Sequence, residues 1–307
     1  MKRSESISHI KKKINWNEID LNYIENLISI CADEDLDSKF RKSPLLGDIT
    51  TSACNINGVN KAKLVTRENI ICCGLNIYPH IFKIFDTLNL KFEKNCSDGE
   101  ELPEGSLIGT ISGSAAEILL IERTLLNLIQ KLSGISTTTN QLVNKIKQYN
   151  VGLLDTRKTT PGLRILEKYA TSCGGSFNHR YGLSDRILIK DNHLAFNSIK
   201  SVESFIDFVK NIRKNHPNEF IQVEVDSVDF AISLTHTDVD AVLLDNFSYR
   251  DIIHVKQYID KDIIIELSGG ITSDNIERFA ACRPDFISTG YPTHSSRWVD
   301  IGLDWSE

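Results

Sequence analysis

Six apolar runs in the second half of the chain each end in polar residues: VGLLDTRK, RILIKDNH, IQVEVDS, AVLLDN, IIIELSGG and DFISTG. Their ends fall near residues 155, 190, 225, 245, 267 and 289, and stretches of helical spacing such as 201–215 and 273–283 fill the gaps. Strands joined by helical crossovers run parallel. Parallel strands this continuously apolar are covered on both faces. The series predicts an α/β barrel, with a doubly wound sheet as the alternative. Both architectures put the ligand at the C-terminal ends of the strands, which is where the polar residues lie.

Arg157, Lys158, His179, Arg180 and Lys190 occupy those ends or the loops beside them. A single cation of this kind is more often a solvated surface charge. Several at one mouth repel one another unless an anion lies among them, so the set points to a strongly anionic substrate. Ser268-Gly269-Gly270 and Ser288-Thr289-Gly290 end the last two strands. Glycine lets backbone N–H groups approach a phosphate, and a helix that follows adds its positive end; one such turn can also be a plain strand-to-helix connection. Glu224 and Asp245 also end strands. They can neutralise the cations, accept hydrogen bonds from sugar hydroxyls, or hold Mg²⁺ through water. No H-E-x-x-H, zinc cluster or G-x-S-x-G elbow occurs.

The first half has another rhythm. Residues 16–31 space their apolar side chains as an amphipathic helix. Residues 44–113 alternate short apolar runs with Gly, Asn and Asp, as antiparallel strands do. Segment 115–132 is apolar on nearly every side, which predicts a helix buried between layers or in a subunit contact, broken at Ser133-Gly134. Arg123 lies on it. A buried arginine needs a partner, and Glu122 projects about 100° away around the helix. A substrate carboxylate, or an acid elsewhere, is therefore expected to meet Arg123.

Composition closes other routes. A formal net charge of −6 disfavours a global nucleic-acid or anionic-membrane surface. The seven cysteines include no C-x-x-C pair, as expected of a reduced intracellular chain without structural zinc; Cys72 and Cys73 read as buried strand residues. MKRSESISHIKKK is basic but no apolar segment follows it, so it does not read as a secretory signal. No apolar run reaches the ~18 residues of a membrane span. A soluble cytoplasmic protein is expected.

Several stretches resemble one family over nearly the whole chain: GDITT at 47–51, ERTLLNLIQKLSGIST at 122–137, DTRKTTPGLRILEKYA at 155–170, GGSFNHRYGLSDRILIKDNH at 174–193, LLDN at 243–246, ELSGGIT, and STG with THS near the end. These are similar to quinolinate phosphoribosyltransferase. The resemblance implies a type II phosphoribosyltransferase fold, an N-terminal open α/β sandwich followed by a seven-stranded α/β barrel. The sandwich would span 1–132, rejoined by about 293–307, and the barrel 133–292. It implies transfer of the phosphoribosyl group of 5-phosphoribosyl-1-pyrophosphate to quinolinate with decarboxylation. It also implies Mg²⁺ and at least a homodimer with shared sites, and neither nucleic acid nor membrane as partner. By motif position, Arg123 from the other subunit, with Arg157, His179, Arg180 and Lys190, would surround the quinolinate carboxylates and pyrophosphate. Lys158 would contact phosphate. Lys190, Glu224 and Asp245 would be catalytic, the two acids lying near the ribose and Mg²⁺. Ser268, Gly269, Gly270 and Gly290 would hold the 5′-phosphate. The chain departs from the family pattern at Asp226, at the CRPDF turn and at Tyr291-Pro292. A phosphoribosyltransferase for another pyridine or anion, or a non-catalytic phosphate-binding barrel, would share the strand-end pattern.

Overall fold

The six strands between residues 152 and 288 run parallel to their neighbours in the computed structural model, which describes residues 2–306. In chain order the strands are β1 Val59–Thr66, β2 Ile70–Ile71, β3 Lys91–Lys94, β4 Glu101–Leu102, β5 Leu107–Ser114 and β6 Gly152–Leu154. They continue with β7 Ile187–Ile189, β8 Ile221–Val225, β9 Ala241–Asp245, β10 Ile264–Ser268, β11 Phe286–Ser288 and β12 Ile301–Trp305. The parallel sheet has the order β6-β11-β10-β9-β8-β7. The seventh position beside β6 is reduced to one parallel bridge, Leu154 to Phe177. Past Phe177 the backbone N–H of Asn178 donates to Lys12 O at 2.8 Å and that of His179 to the Asp155 carboxylate at 2.8 Å. The segment therefore leaves the ladder after a single residue, and the seven strands expected become six regular ones and a bridge.

The chain divides into two compact units. The first comprises the residues up to Lys13, Gln141–Thr159 and Ser176–Ser295. Its strands sort their side chains by the period-two rule. Leu153, Val223, Val242, Leu244, Ile265, Leu267 and Ile287 belong to one core with helical residues such as Phe205, Val209 and Val255. Leu154, Phe220, Ala241, Ile264 and Phe286 form a separate cluster, into which Ile10 of the helix Arg3–Ile10 inserts fully buried. Two residues further along their strands come Gln222, Glu266 and Ser288, buried but polar. The barrel thus changes from apolar to polar as its strands run toward their C-terminal ends.

The second unit comprises Ile14–Asn140, Thr160–Gly175 and the residues from Ser296 on. An antiparallel sheet of order β12-β1-β5-β3 shares one apolar core with the helix Leu21–Asp35 and with the helix that begins at Ala115. Cys72 and Cys73 are buried just past β2 rather than within a strand, and all seven cysteines are free thiols.

The helix Ala115–Ile146 does not break at Ser133-Gly134. Ser133 Oγ accepts the Cys73 N–H at 2.9 Å and donates to the Cys73 carbonyl at 3.1 Å, so its polarity is spent on the neighbouring chain. Gly134 is there for space: a Cβ would sit 2.2 Å from the Arg297 carbonyl oxygen. Gly134→Ala should therefore destabilise the protein. The helix-propensity gain is about 1 kcal/mol, whereas forcing a backbone apart typically costs about 1–3 kcal/mol. Denaturant titration should show a lower midpoint for the second unit; an unchanged or raised midpoint would mean the Arg297 segment yields freely.

Candidate active site

Asp155 ends the first barrel strand and is 2% exposed. Its carboxylate accepts the His179 N–H and the Asn178 side-chain amide, each at 2.8 Å. One buried acid thereby ties the DTRK turn to the NHR turn and brings Arg157 near Arg180. Burial lowers the Arg180 pKa first, and the like charges of Arg157 and Arg186 lower it further. A guanidinium stays charged even so. Among the described residues no carboxylate lies within ion-pair distance of Arg157 or Arg180, and Arg157 Nε is buried without a hydrogen-bond partner. Lys158 is exposed, but its backbone is anchored: its N–H donates to Thr156 Oγ1 at 3.0 Å and its carbonyl accepts from Thr293 Oγ1 at 2.7 Å.

Lys190 stands immediately past β7, where His193 Nδ1 accepts its N–H at 2.9 Å. Its Nζ lies 2.5 Å from Glu224 Oε2 on β8. Glu224, Asp245, Asp226 and Asp191 line a cleft of about 250 Å³. Asp245 accepts from the Asn246 amide at 2.8 Å. Asn246 has φ 58° and fills the space where Gly269 would carry a Cβ, 2.2 Å from Asn246 Oδ1. Gly269, at φ 97°, is therefore obligatory. A Cβ at Gly270 would meet nothing within 4 Å, so this backbone borders open space. A Cβ at Gly290 would lie 3.2 Å from Thr156 Oγ1, which places the last turn beside the DTRK turn.

The helices after these glycine turns are shorter than the sequence suggests. One runs over Ile276–Ala280 rather than 273–283, and the other over Tyr291–His294. Asn275 intervenes, accepting the Thr272 N–H at 2.8 Å and donating to the Gly270 carbonyl at 2.9 Å. Such short helices have little dipole to offer, so anion binding here rests on the N–H groups of the turns themselves.

Arg123 is not buried. It lies in the second unit with its side chain 66% exposed, and its Nη2 donates to Glu122 Oε1 at 2.8 Å. Ile121, Leu125, Leu128 and Ile129 take the buried side of the helix, which leaves Arg123 and Asn127, one turn apart, on the open side. Two long flexible side chains bridge the angle that was expected to separate them.

Several polar residues escaped the sequence reading: Asn178, Gln222, and above all Glu266. Glu266 is fully buried; Gln222 Nε2 donates to its Oε2 at 2.7 Å, and His179 Nε2 lies 3.4 Å from its Oε1. Burial pushes its carboxyl upward, but the facing His179 ring and the polar side chains of Ser288 and Gln222 hold it down at about 2. The signal was present as one acid inside the otherwise apolar run IIIELS.

Comparison with known proteins places this arrangement. The model of the quinolinate phosphoribosyl transferase C-terminal domain matches residues 135–304, and that of the N-terminal domain matches residues 48–133. A probable carboxylating nicotinate-nucleotide pyrophosphorylase of Methanocaldococcus jannaschii is 38% identical over 272 residues, covering 84% of this chain and 91% of the relative. One from Synechocystis is 34% identical over 261 residues, covering 84% and 86%. The solved structure of the nicotinate-nucleotide pyrophosphorylase from Francisella tularensis superposes with a TM-score of 0.86 at 34% identity, over 96% of this chain and 100% of that one.

Proposed function

The chain belongs to the quinolinate phosphoribosyltransferase family, and we propose that its strand-end cations and acids are the site of that family's reaction. The reaction converts quinolinate and 5-phosphoribosyl-1-pyrophosphate to nicotinate mononucleotide, pyrophosphate and CO₂, a step of NAD biosynthesis. The observation that carries the site assignment is the un-neutralised pair Arg157 and Arg180, held together by Asp155 and its neighbours. Two guanidiniums near enough to repel match a dicarboxylate, since each can take a carboxylate in a planar fork.

Lys190 and Lys158 meet the phosphate and pyrophosphate oxygens in this reading. The open backbone at Gly270 and the Gly290 turn receive the 5′-phosphate. As pyrophosphate leaves, positive charge grows at C1 of the ribose, and Glu224 and Asp245 stabilise it by charge. The pyridine nitrogen then bonds to C1. When the adjacent carboxylate departs as CO₂ its bonding pair stays on the ring carbon, stabilised by the positive charge of the neighbouring quaternary nitrogen, and that carbon takes up a proton. Positioning and electrostatics suffice, with no covalent nucleophile.

Mg²⁺ fits the donor set. Asp191, Glu224, Asp226 and Asp245 present hard oxygens to one cleft. In this reading the ion arrives on phosphoribosyl pyrophosphate and these acids meet it through water. When bound it neutralises the departing anion. Among the described residues no helix is long and apolar enough to cross a membrane. We place the enzyme in the cytoplasm, where its highly charged substrates are made and used, and as a homodimer at least.

Incubation with quinolinate, phosphoribosyl pyrophosphate and Mg²⁺ should release CO₂ and nicotinate mononucleotide in equal amounts. Nicotinate, with a single carboxylate, should be a poor substitute. Equal turnover of nicotinate without CO₂ would refute the dicarboxylate reading.

A further inference from the structure

We infer that Glu266 is a positioning residue for the dicarboxylate substrate, acting through the His179 ring on the backbone that carries Arg180. The inference rests on the site assignment above. It starts from hydrogen-bond directions. The Arg180 N–H donates to His179 Nδ1 at 2.8 Å. That nitrogen is therefore the acceptor, and the ring proton sits on Nε2. Nε2 faces Glu266 Oε1, which has no hydrogen-bond donor closer than this 3.4 Å contact, while Oε2 is engaged by Gln222.

An acceptor oxygen at this place does what an apolar residue cannot. It favours the Nε2–H tautomer, so the lone pair of Nδ1 stays available to the Arg180 backbone. It also supplies negative charge to the buried Arg186. Burial, and then the nearby charges of Arg180's neighbours, make that region costly: Arg186 is itself buried, with Nε and Nη1 unpartnered, and the Glu266 charge is the largest force that favours its cationic form. Asp155 fixes the same turn from the other side through the His179 N–H. The His179–Arg180 step is thus held at three points, the His179 N–H, the Arg180 N–H and the imidazole Nε2. Glu266 touches no reacting atom in the proposed mechanism, so its role is to hold Arg180 where a carboxylate meets it.

The test uses the full-length enzyme and compares KM for each substrate. Glu266→Leu removes the charge and the acceptor at nearly constant volume. The KM for quinolinate should rise tenfold or more, while that for phosphoribosyl pyrophosphate should stay within about twofold. Partial unfolding lowers the amount of active enzyme and leaves KM alone, so this split separates positioning from mere stability. Glu266→Gln keeps an acceptor for Nε2–H, and should restore the quinolinate KM to within about threefold of the wild type. His179→Ala should raise the same KM, and adding it to Glu266→Leu should cost nothing further, because both act through one ring. Should Glu266→Leu fail to fold, the same cycle run with Glu266→Ala reads the coupling. If His179→Ala raises the KM but the Glu266 variants do not, or if their effects multiply, Glu266 is not a positioning residue and the site assignment stands. If His179→Ala leaves the quinolinate KM unchanged, the site assignment itself fails, and the inference with it.

Discussion

Lys190→Ala and Arg157→Ala should each lower kcat/KM by about 10²–10³-fold, the loss typical of removing one pre-placed group that stabilises transition-state charge. Such a loss corresponds to about 3–4 kcal/mol. Stability cannot account for it. Lys190 gives up only its contact with Glu224, and its side chain is 39% exposed; partly exposed pairs are worth about 1 kcal/mol or less. Arg157 is half-buried at a strand end and has no ion pair among the described residues to lose. Both variants should keep the wild-type circular dichroism and unfold within a few degrees of the parent. Normal steady-state kinetics in both would remove these residues from the site.

Arg123 should act in the site of the other subunit. The exposed guanidinium stands on the open strip of its helix with Asn127 one turn on, and the resemblance of ERTLLNLIQKLSGIST to the family implies a role across subunits. Arg123→Ala and Lys190→Ala homodimers should then both be nearly inactive. After mixed refolding in equal amounts, about half the dimers pair one variant with the other. In each mixed dimer one site carries both lesions and the other carries none. Roughly a quarter of the wild-type activity should return, by the same pairing count. If Arg123 served its own chain, every site would hold one lesion and nothing would return. A sample shown to exchange subunits yet still inactive would sink the shared-site model.

The parallel strands were legible because their signal is local and redundant. The ends expected near 155, 190, 225, 245, 267 and 289 meet strands that stop at 154, 189, 225, 245, 268 and 288. Where one long-range contact overrides local preference, the reading failed. Ser133-Gly134 looks like a helix stop, but a serine bonded to another segment and a glycine pressed against the Arg297 carbonyl are content mid-helix. Arg123 was misjudged because hydrophobic pattern says which side of a helix is buried only when the packing partners are known; a single open strip was enough to expose it. Phe177 lies on a strand one residue long, too short for any periodicity to reveal. The mouth residues announced themselves as charges at strand ends. Gln222 and Glu266 did not, since strand alternation marks a residue as inward without saying how deep it lies.

The helix Arg3–Ile10 bears on how this chain is born. Arg3 donates to the Ile263 carbonyl at 2.9 Å and meets the Asp285 carboxylate at 2.5 Å, 260 and 282 residues away. The antiparallel sheet likewise waits for β12 to pair with β1. At synthesis rates of about 5–20 residues per second, the first helix is exposed for some tens of seconds before its berth exists. During that interval Ile7 and Ile10 are apolar surface without a partner. Neither unit can close until the last strands leave the ribosome, so folding should be largely post-translational, and nascent chains stalled before residue 286 should be sensitive to protease throughout and engaged by chaperones.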